Sequence, residues 1–354
     1  VPEGGKVALR SNDGEGKDTN NQKGVPMKII VDMMGGDNAP LAVLEGTAAA
    51  VKEYGVEVIG VGDEALVRKT AAEHNIPLDG ITLHNCTETI EMCDEPARAI
   101  RSKKDSSIVI GCKLVKEGKA QGFFSAGSTG ACLAGATLGI GRIKGVSRPC
   151  LCSVIPSPVA PVVMADIGAN ADCKPEYLAQ FAQMASIYAE KIVGIKSPKC
   201  ALLNIGEEDT KGSQFAQAAF AQLKEKVPNF VGNCEGRDII AANYDVVITD
   251  GFTGNVVLKT IEGTSKTLFK SVKKVFLSNL ATKLGALAIK GKLSELANSI
   301  NPDKFGGAPL LGVKGACIVG HGSSNADAIK NGIHASSKVV REDVCGLISQ
   351  AVSR

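Results

Sequence analysis

Four short stretches of this sequence place glycine beside hydroxyl, amide or amino side chains, each between an apolar run and a helix-forming segment. SAGSTGA, from Ser125 to Ala131, is the richest. Gly127 and Gly130 let backbone approach a ligand closely, and Ser128 and Thr129 offer hydroxyls and helix-start N–H groups to an anion. An ordinary N-cap is the competing reading. DGFTGN follows the apolar run DVVIT and puts Asn255 and Lys259 on one face of the helix it opens; a capping turn explains the same residues without function. NIGEEDTKG brings Lys211 to a third junction, where an isolated lysine is more often solvated. HGSS at 321–324 supplies His321, the acid/base candidate by elimination, although a lone histidine is more often structural.

Several familiar chemistries are missing. No GxSxG nucleophile elbow, HExxH or phosphate-binding GxxxxGK[ST] loop occurs. The one GxGxxA match, GVGDEA at 60–65, would turn Asp63 toward a pyrophosphate, so a packing turn is the better reading. What remains is glycine, hydroxyl and amide loops with one lysine and no nucleophile–base pair. That inventory suits a reaction whose substrate brings its own nucleophile, such as phosphate, and whose protein binds an anion and stabilises an oxyanion.

The elements that must position these loops follow from periodicity. Apolar runs of four to seven residues alternate with helical stretches of 10–15, which predicts a mostly parallel sheet covered on both faces. CLCSVI and PVVMADIG lie close enough for a hairpin, so the sheet is expected to be mixed. Forty glycines fit close helix-on-sheet packing. Residues 1–26 are polar and aperiodic and read as a disordered extension or a non-native leader; 27–354 read as a single α/β unit. A net charge of +3 is too small a basic excess for nucleic acid, and 4% aromatics with no Trp argue against base stacking. Eleven cysteines without a CxxC pair, and only four histidines, give no metal-ligand pattern. Buried reduced thiols and a cytoplasmic protein are expected, with no metal and no cofactor.

In order along the chain, DMMGGDNAP, CDEPARAIRSKKDSSI, SAGSTGA, GRIKGVSRP, ADIGANADCKPEYL, LLNIGEEDTKG, TDGFTGNVVLKTIEG, GGAPLLGVKG and HGSS together resemble the phosphate acyltransferases of bacterial phospholipid synthesis, the PlsX family. The likeness runs from Met27 to the C-terminus. It implies a three-layer α/β/α fold similar to phosphotransacetylases and to isocitrate/isopropylmalate dehydrogenase-like folds. It implies transfer of an acyl group from acyl carrier protein to inorganic phosphate, in a homodimer whose product feeds a membrane glycerol-3-phosphate acyltransferase. Lys211 and Asn255 match the positions tied most strongly to activity, and His321, the acid/base candidate by elimination, is expected to protonate the departing thiolate. Gly127, Ser128, Thr129, Gly130, Asp32, Gly35, Gly36, Asn170, Asp250 and Gly251 are implied to bind phosphate or substrate. The expectation for mechanism is that Lys211 and the helix-start amides near Ser128 and Thr129 hold phosphate together in one pocket beside Asn255. Met33 and Met34 after Asp32, and GEED at 206–209, depart slightly from the family pattern.

Residues 263–303 carry lysines among leucines, with only Glu295 and Asp303 as acids past the start. A dimer-core helix pair with a solvated basic face is one reading. The other is a surface in which Lys270, Lys273, Lys274, Leu284, Leu287 and Lys290 meet anionic lipid or the acidic carrier protein, making the enzyme peripheral at the inner membrane face. Rival functions are a short-chain phosphate acyltransferase using acyl-coenzyme A, an NAD-linked dehydrogenase and a non-catalytic membrane scaffold.

Overall fold

The computed structural model describes residues 27–299 and 302–353 of the 354-residue chain. The expected extension over 1–26 lies outside the described residues. The elements run β1 (Lys28–Asp32), α1 (Leu41–Tyr54), β2 (Glu57–Gly62), α2 (Glu64–Glu73), β3 (Ile81–Asn85), α3 (Pro96–Ser102) and α4 (Ser107–Lys116). Then come β4 (Gly122–Ser125), α5 (Thr129–Gly135), β5 (Cys150–Ile155), β6 (Val162–Ala165), α6 (Pro175–Tyr188), β7 (Cys200–Leu203) and α7 (Gln214–Lys226). The chain closes with β8 (Phe230–Cys234), α8 (Gly236–Ala241), β9 (Val246–Ile248), α9 (Gly251–Phe276), α10 (Leu280–Ser299), β10 (Ala308–Leu311), β11 (Ala316–Val319), α11 (Ala326–Arg341) and α12 (Val344–Val352).

All the strands join one 11-stranded sheet in the order β3-β2-β1-β4-β11-β10-β5-β6-β9-β7-β8. Strand residues alternate between two apolar layers, as a period of two requires. Ile29, Val31, Phe124, Cys150, Cys152, Val163, Val246 and Ile318 pack on one side, with α1, α6, α7 and α11. Ile30, Phe123, Leu151, Met164, Val247 and Cys317 pack on the other, with α4, α5 and α8. Each layer runs from the β1 side of the sheet to the β9 side. The expected three-layer α/β/α fold with a mixed sheet is the observed one.

Three pairings are antiparallel, β11 with β10, β10 with β5, and β5 with β6, and the remaining pairings are parallel. The third is the hairpin read from CLCSVI and PVVMADIG. The other two come from β10, which periodicity misses for a physical reason. Its four residues include Pro309 and are flanked by Gly306, Gly307 and Gly312, all at positive φ, so the sequence reads as a turn. The short α3 and α8 were missed similarly. The sheet therefore reverses: β1, β2, β3, β4 and β11 run one way, and β6, β7, β8 and β9 the other.

The expected 263–303 insertion begins inside a continuous helix, since α9 runs unbroken from Gly251 through Gly263 to Phe276. Only Gly251 and Gly254 of α9 are buried. Among the described residues α10 packs chiefly on α9.

At the end of β1, Asp32 is 2% exposed. Its Oδ2 accepts from Ser125 Oγ at 2.7 Å and its Oδ1 from the Met34 N–H at 3.1 Å. Ser125 Oγ in turn accepts the Gly127 N–H at 3.0 Å, so one carboxylate ties the β1 loop to SAGSTGA. A Cβ at Gly35 would lie 2.7–2.9 Å from Asp32 Oδ2, Gly127 N and Ser125 Oγ, which is why glycine stands there. Burial raises the Asp32 carboxyl above the usual range, with the Ser125 hydrogen bond next in size and opposing it. A folded chain that holds this proton more tightly than the unfolded chain loses stability as pH rises from the ordinary carboxyl value through the raised one. Asp32→Asn removes that slope. Urea midpoints measured between about pH 4 and 7 should therefore fall less steeply for the variant than for the native chain; equal slopes would show that Asp32 does not titrate in this way.

Candidate active site

Strand direction sorts the candidate residues into two groups. The loops after β1, β4 and β11 leave one edge of the sheet. Those after β6, β7 and β9 leave the opposite edge.

The first group is bound together by backbone. Asp37 N–H donates to Gly322 O at 2.8 Å, and Asn38 Nδ2 donates to Ser324 O at 3.1 Å. Gly36, at φ +101°, brings its Cα close to the Gly322 carbonyl, and Gly130 lies against Pro96. Ser128 is buried and caps α5, its Oγ accepting the Ala131 N–H at 3.4 Å, while Thr129 is exposed at the first helical position. Both the capping reading and the open-hydroxyl reading of SAGSTGA thus apply, to successive residues. His321 is exposed, with Nδ1 2.9 Å from Ser323 Oγ and accepting the Ser323 N–H at 3.3 Å. An Nδ1 that accepts leaves the ring hydrogen on Nε2, so the neutral ring presents a hydrogen-bond donor outward.

The second group holds the best-placed polar side chains. Lys211 is half-exposed in the loop between β7 and α7, with Nζ 3.9 Å from Glu208 Oε1. Its backbone is fixed by three amide side chains. Asn204 Nδ2 donates to Lys211 O at 3.1 Å, Asn233 Nδ2 to Glu208 O at 2.8 Å, and Gln217 Nε2 to Thr210 O at 3.0 Å. The Lys211 N–H also donates to Glu208 O at 3.0 Å, so the lysine stands on a rigid turn.

Asn255 is exposed on the first turns of α9, and its side-chain amide has no hydrogen-bond partner among the described residues. Asp250 caps the helix, accepting the Thr253 N–H at 2.9 Å and Thr253 Oγ1 at 2.8 Å. Gly251 is buried, and a Cβ there would press on Asn170 backbone at 2.6–2.9 Å. Lys259, one turn beyond Asn255, is paired with Glu262 at 2.9 Å. Because β7 and β9 are neighbouring parallel strands, Lys211 and Asn255 rise from adjacent loops. Ile205 (80% exposed) and Phe252 (66% exposed) follow the same two strand ends.

These placements redistribute roles. Asp32 is sealed inside its loop, and Asp250 is a cap. Asn170 commits both amide hydrogens internally, one to Pro149 O and one to Asp166 Oδ2, each at 2.8 Å, so it has no side-chain donor left for an anion. β4 runs opposite to β7 and β9, so the loop with Ser128 and Thr129 and the loops with Lys211 and Asn255 leave opposite ends of their strands, and no described hydrogen bond joins the two groups.

Sequence reasoning missed Ser125, Asp166 and the three amides that hold the Lys211 turn. Asp166 had a readable signal, because DIGAN repeats the strand-end Asp followed by Gly seen in DMMGG. No group of His, Cys, Asp and Glu among the described residues forms a metal-binding cluster. Burial pushes the thiols of Cys86, Cys132 and Cys234 up to about 12 and that of Cys173 to about 11, which keeps them protonated near neutral pH and poor as nucleophiles.

Residues 27–347 match the family described as fatty acid synthesis protein. A phosphate acyltransferase of Clostridioides difficile is 46% identical over 329 residues, 93% of this chain and 97% of the relative. One from Halothermothrix orenii is 45% identical over 331 residues, 93% of this chain and 99% of its own. Among solved structures, a phosphotransacetylase from Streptococcus pyogenes superposes with a TM-score of 0.61 at 19% identity, covering 89% of this chain and 94% of that one. A branched-chain phosphotransacylase from Enterococcus faecalis gives 0.55 at 14% identity, covering 89% and 99%. Those two share the fold. The sequence relatives go further: by identity sustained over nearly the whole of both chains, this protein belongs to the phosphate acyltransferase family.

Proposed function

We propose that the enzyme forms acyl-phosphate from a fatty acyl thioester of acyl carrier protein and inorganic phosphate, as a step of bacterial phospholipid synthesis. The observation that carries this reading is the pairing of a braced lysine with an unpartnered asparagine amide on adjacent loops, flanked by exposed apolar side chains. Lys211 neutralises phosphate. A phosphate oxygen attacks the thioester carbonyl while Asn255 Nδ2 donates to the developing oxyanion. The tetrahedral intermediate collapses, the C–S bond breaks and the carrier leaves as thiolate, which takes a proton from solvent or from an acid at the site. Ile205 and Phe252 offer the acyl chain an apolar path out.

The reading includes a homodimer. Ser128, Thr129 and His321 follow strands of the opposite direction, and a second copy is one way to bring such a loop to this reaction centre. A short-chain enzyme using acyl-coenzyme A would share the polar pair and is separated by substrate preference. Hydroxylamine trapping should detect acyl-phosphate from palmitoyl carrier protein and phosphate, faster than from palmitoyl-coenzyme A. Lys211→Ala should lower kcat/KM by about a hundred-fold with an unchanged melting profile, because the side chain is half-exposed; near-native turnover would remove Lys211 from the mechanism.

The helices α9 and α10 supply the second half of the reading, peripheral placement at the inner membrane face and delivery of product to a membrane glycerol-3-phosphate acyltransferase. Leu280, Leu284 and Leu287 are exposed and share one face of α10, and Leu268, Phe269 and Val275 are exposed on α9. Lys270, Lys273, Lys274 and Lys290 are exposed among them and suit anionic lipid or an acidic carrier. No helix among the described residues is long and apolar enough to cross a membrane. The enzyme should float with vesicles containing phosphatidylglycerol and not with phosphatidylcholine alone, and Leu287→Asp should weaken that flotation. A native enzyme that ignores anionic vesicles would rule the membrane surface out.

A further inference from the structure

Asp166 follows β6 directly and is fully buried. Its Oδ1 accepts the N–H groups of Leu151 at 3.1 Å, Gly168 at 3.1 Å and Ala169 at 3.0 Å. Its Oδ2 accepts the Asn170 N–H and Asn170 Nδ2, both at 2.8 Å. Among the described residues no lysine or arginine pairs with it, so five N–H donors take the place of water around a buried anion. The result is a loop, 166–170, wound tightly about one carboxylate and anchored to the start of β5.

The first turn of α9 is seated on that loop. The Gly251 N–H donates to Asn170 O at 2.9 Å, and the Asp166 N–H donates to Thr249 O at 3.0 Å. A Cβ at Gly254 would overlap the Asp166 carbonyl oxygen, so the helix lies flush against the loop backbone there. One residue on, the Asn255 side chain passes close to Gly168, whose Cβ position would lie 3.6 Å from Asn255 Cγ. The backbone of Asp166, Gly168 and Asn170, all in the segment Asp166 organises, thus lies against the first turn of α9 that carries Asn255.

We propose that Asp166 is the positioning residue for Asn255, holding the α9 start at the height and angle that aim the asparagine amide at the thioester oxyanion. The inference rests on Asn255 acting in the proposed reaction. Asp166 itself touches no substrate. Replacing it by asparagine keeps the shape but turns an NH2 toward N–H donors, so the loop must shift. A displacement near one ångström of a group that acts in the transition state costs about a hundred-fold in rate.

A double-mutant cycle tests this, using phosphate and palmitoyl carrier protein as substrates and thermal melting as a parallel record of folding. Asp166→Asn should lower kcat by about ten- to a hundred-fold, with KM for phosphate changed by less than about threefold, because Lys211 is held by other residues. In an Asn255→Ala background the same substitution should change kcat by less than about threefold, since the group it positions is already gone. If Asp166→Asn does not fold, Asn170→Ala takes its place in the cycle, as it removes two side-chain links and leaves Asp166 four donors. Losses that multiply, with Asn255→Ala itself impaired, overturn the inference alone. Full activity of Asn255→Ala overturns the reading of the site, and the inference with it.

Discussion

A carboxylate buried without a cation must be solvated by something, and in this protein the backbone does it. Asp32 and Asp166 sit at the ends of β1 and β6, one on each edge of the reversed sheet, and draw N–H and O–H donors inward. Each thereby turns the loop that follows it into a rigid platform. SAGSTGA and the start of α9 depend on those platforms, whereas the Lys211 turn is held by its own amide side chains. SAGSTGA is fixed through Ser125 and Gly127, and the α9 start through Asn170 and Gly168. Burial raises both carboxyls, so ionisation is sustained only by the donors gathered around it. A loop held in this way can support an exposed amide such as that of Asn255 without collapsing onto it.

Reversal of the sheet is the second constraint. A wholly parallel sheet would have collected all the candidate loops at one edge. The β5–β6 hairpin divides them instead, because the two reversals at the inserted β10 cancel and leave β5 running with β11. The edge with Lys211 and Asn255 holds an ammonium, 3.9 Å from Glu208 Oε1, and an exposed side-chain amide on adjacent loops. The edge with Ser128 and His321 has glycine-rich backbone and an outward-facing ring donor.

Much of this was legible in the residues. Alternating apolar runs gave the strands, and Ser128, Ser213 and Asp250 each stand where a side-chain oxygen caps a helix. Lys211 and Asn255 were found by their position at strand-to-helix junctions. β10 was not legible, because Pro309 between glycines carries turn chemistry and only the tertiary pairing makes it a strand. The roles of Asn170 and Asp32 were not legible either. An asparagine or aspartate in a glycine loop reads the same to the eye when it faces a ligand and when it faces its own backbone, and only the observed donors distinguish the two.

The chemical core of the account is that phosphate attacks the thioester directly, with no acyl group ever resting on the protein. Burial holds the thiols of Cys86, Cys132, Cys173 and Cys234 protonated, and so poor as nucleophiles. Intact-mass analysis of the enzyme incubated with palmitoyl carrier protein and no phosphate tests this most directly. The account predicts an unmodified protein mass and no release of free carrier until phosphate is added. A palmitoyl adduct on the enzyme, or a burst of carrier release without phosphate, would contradict it.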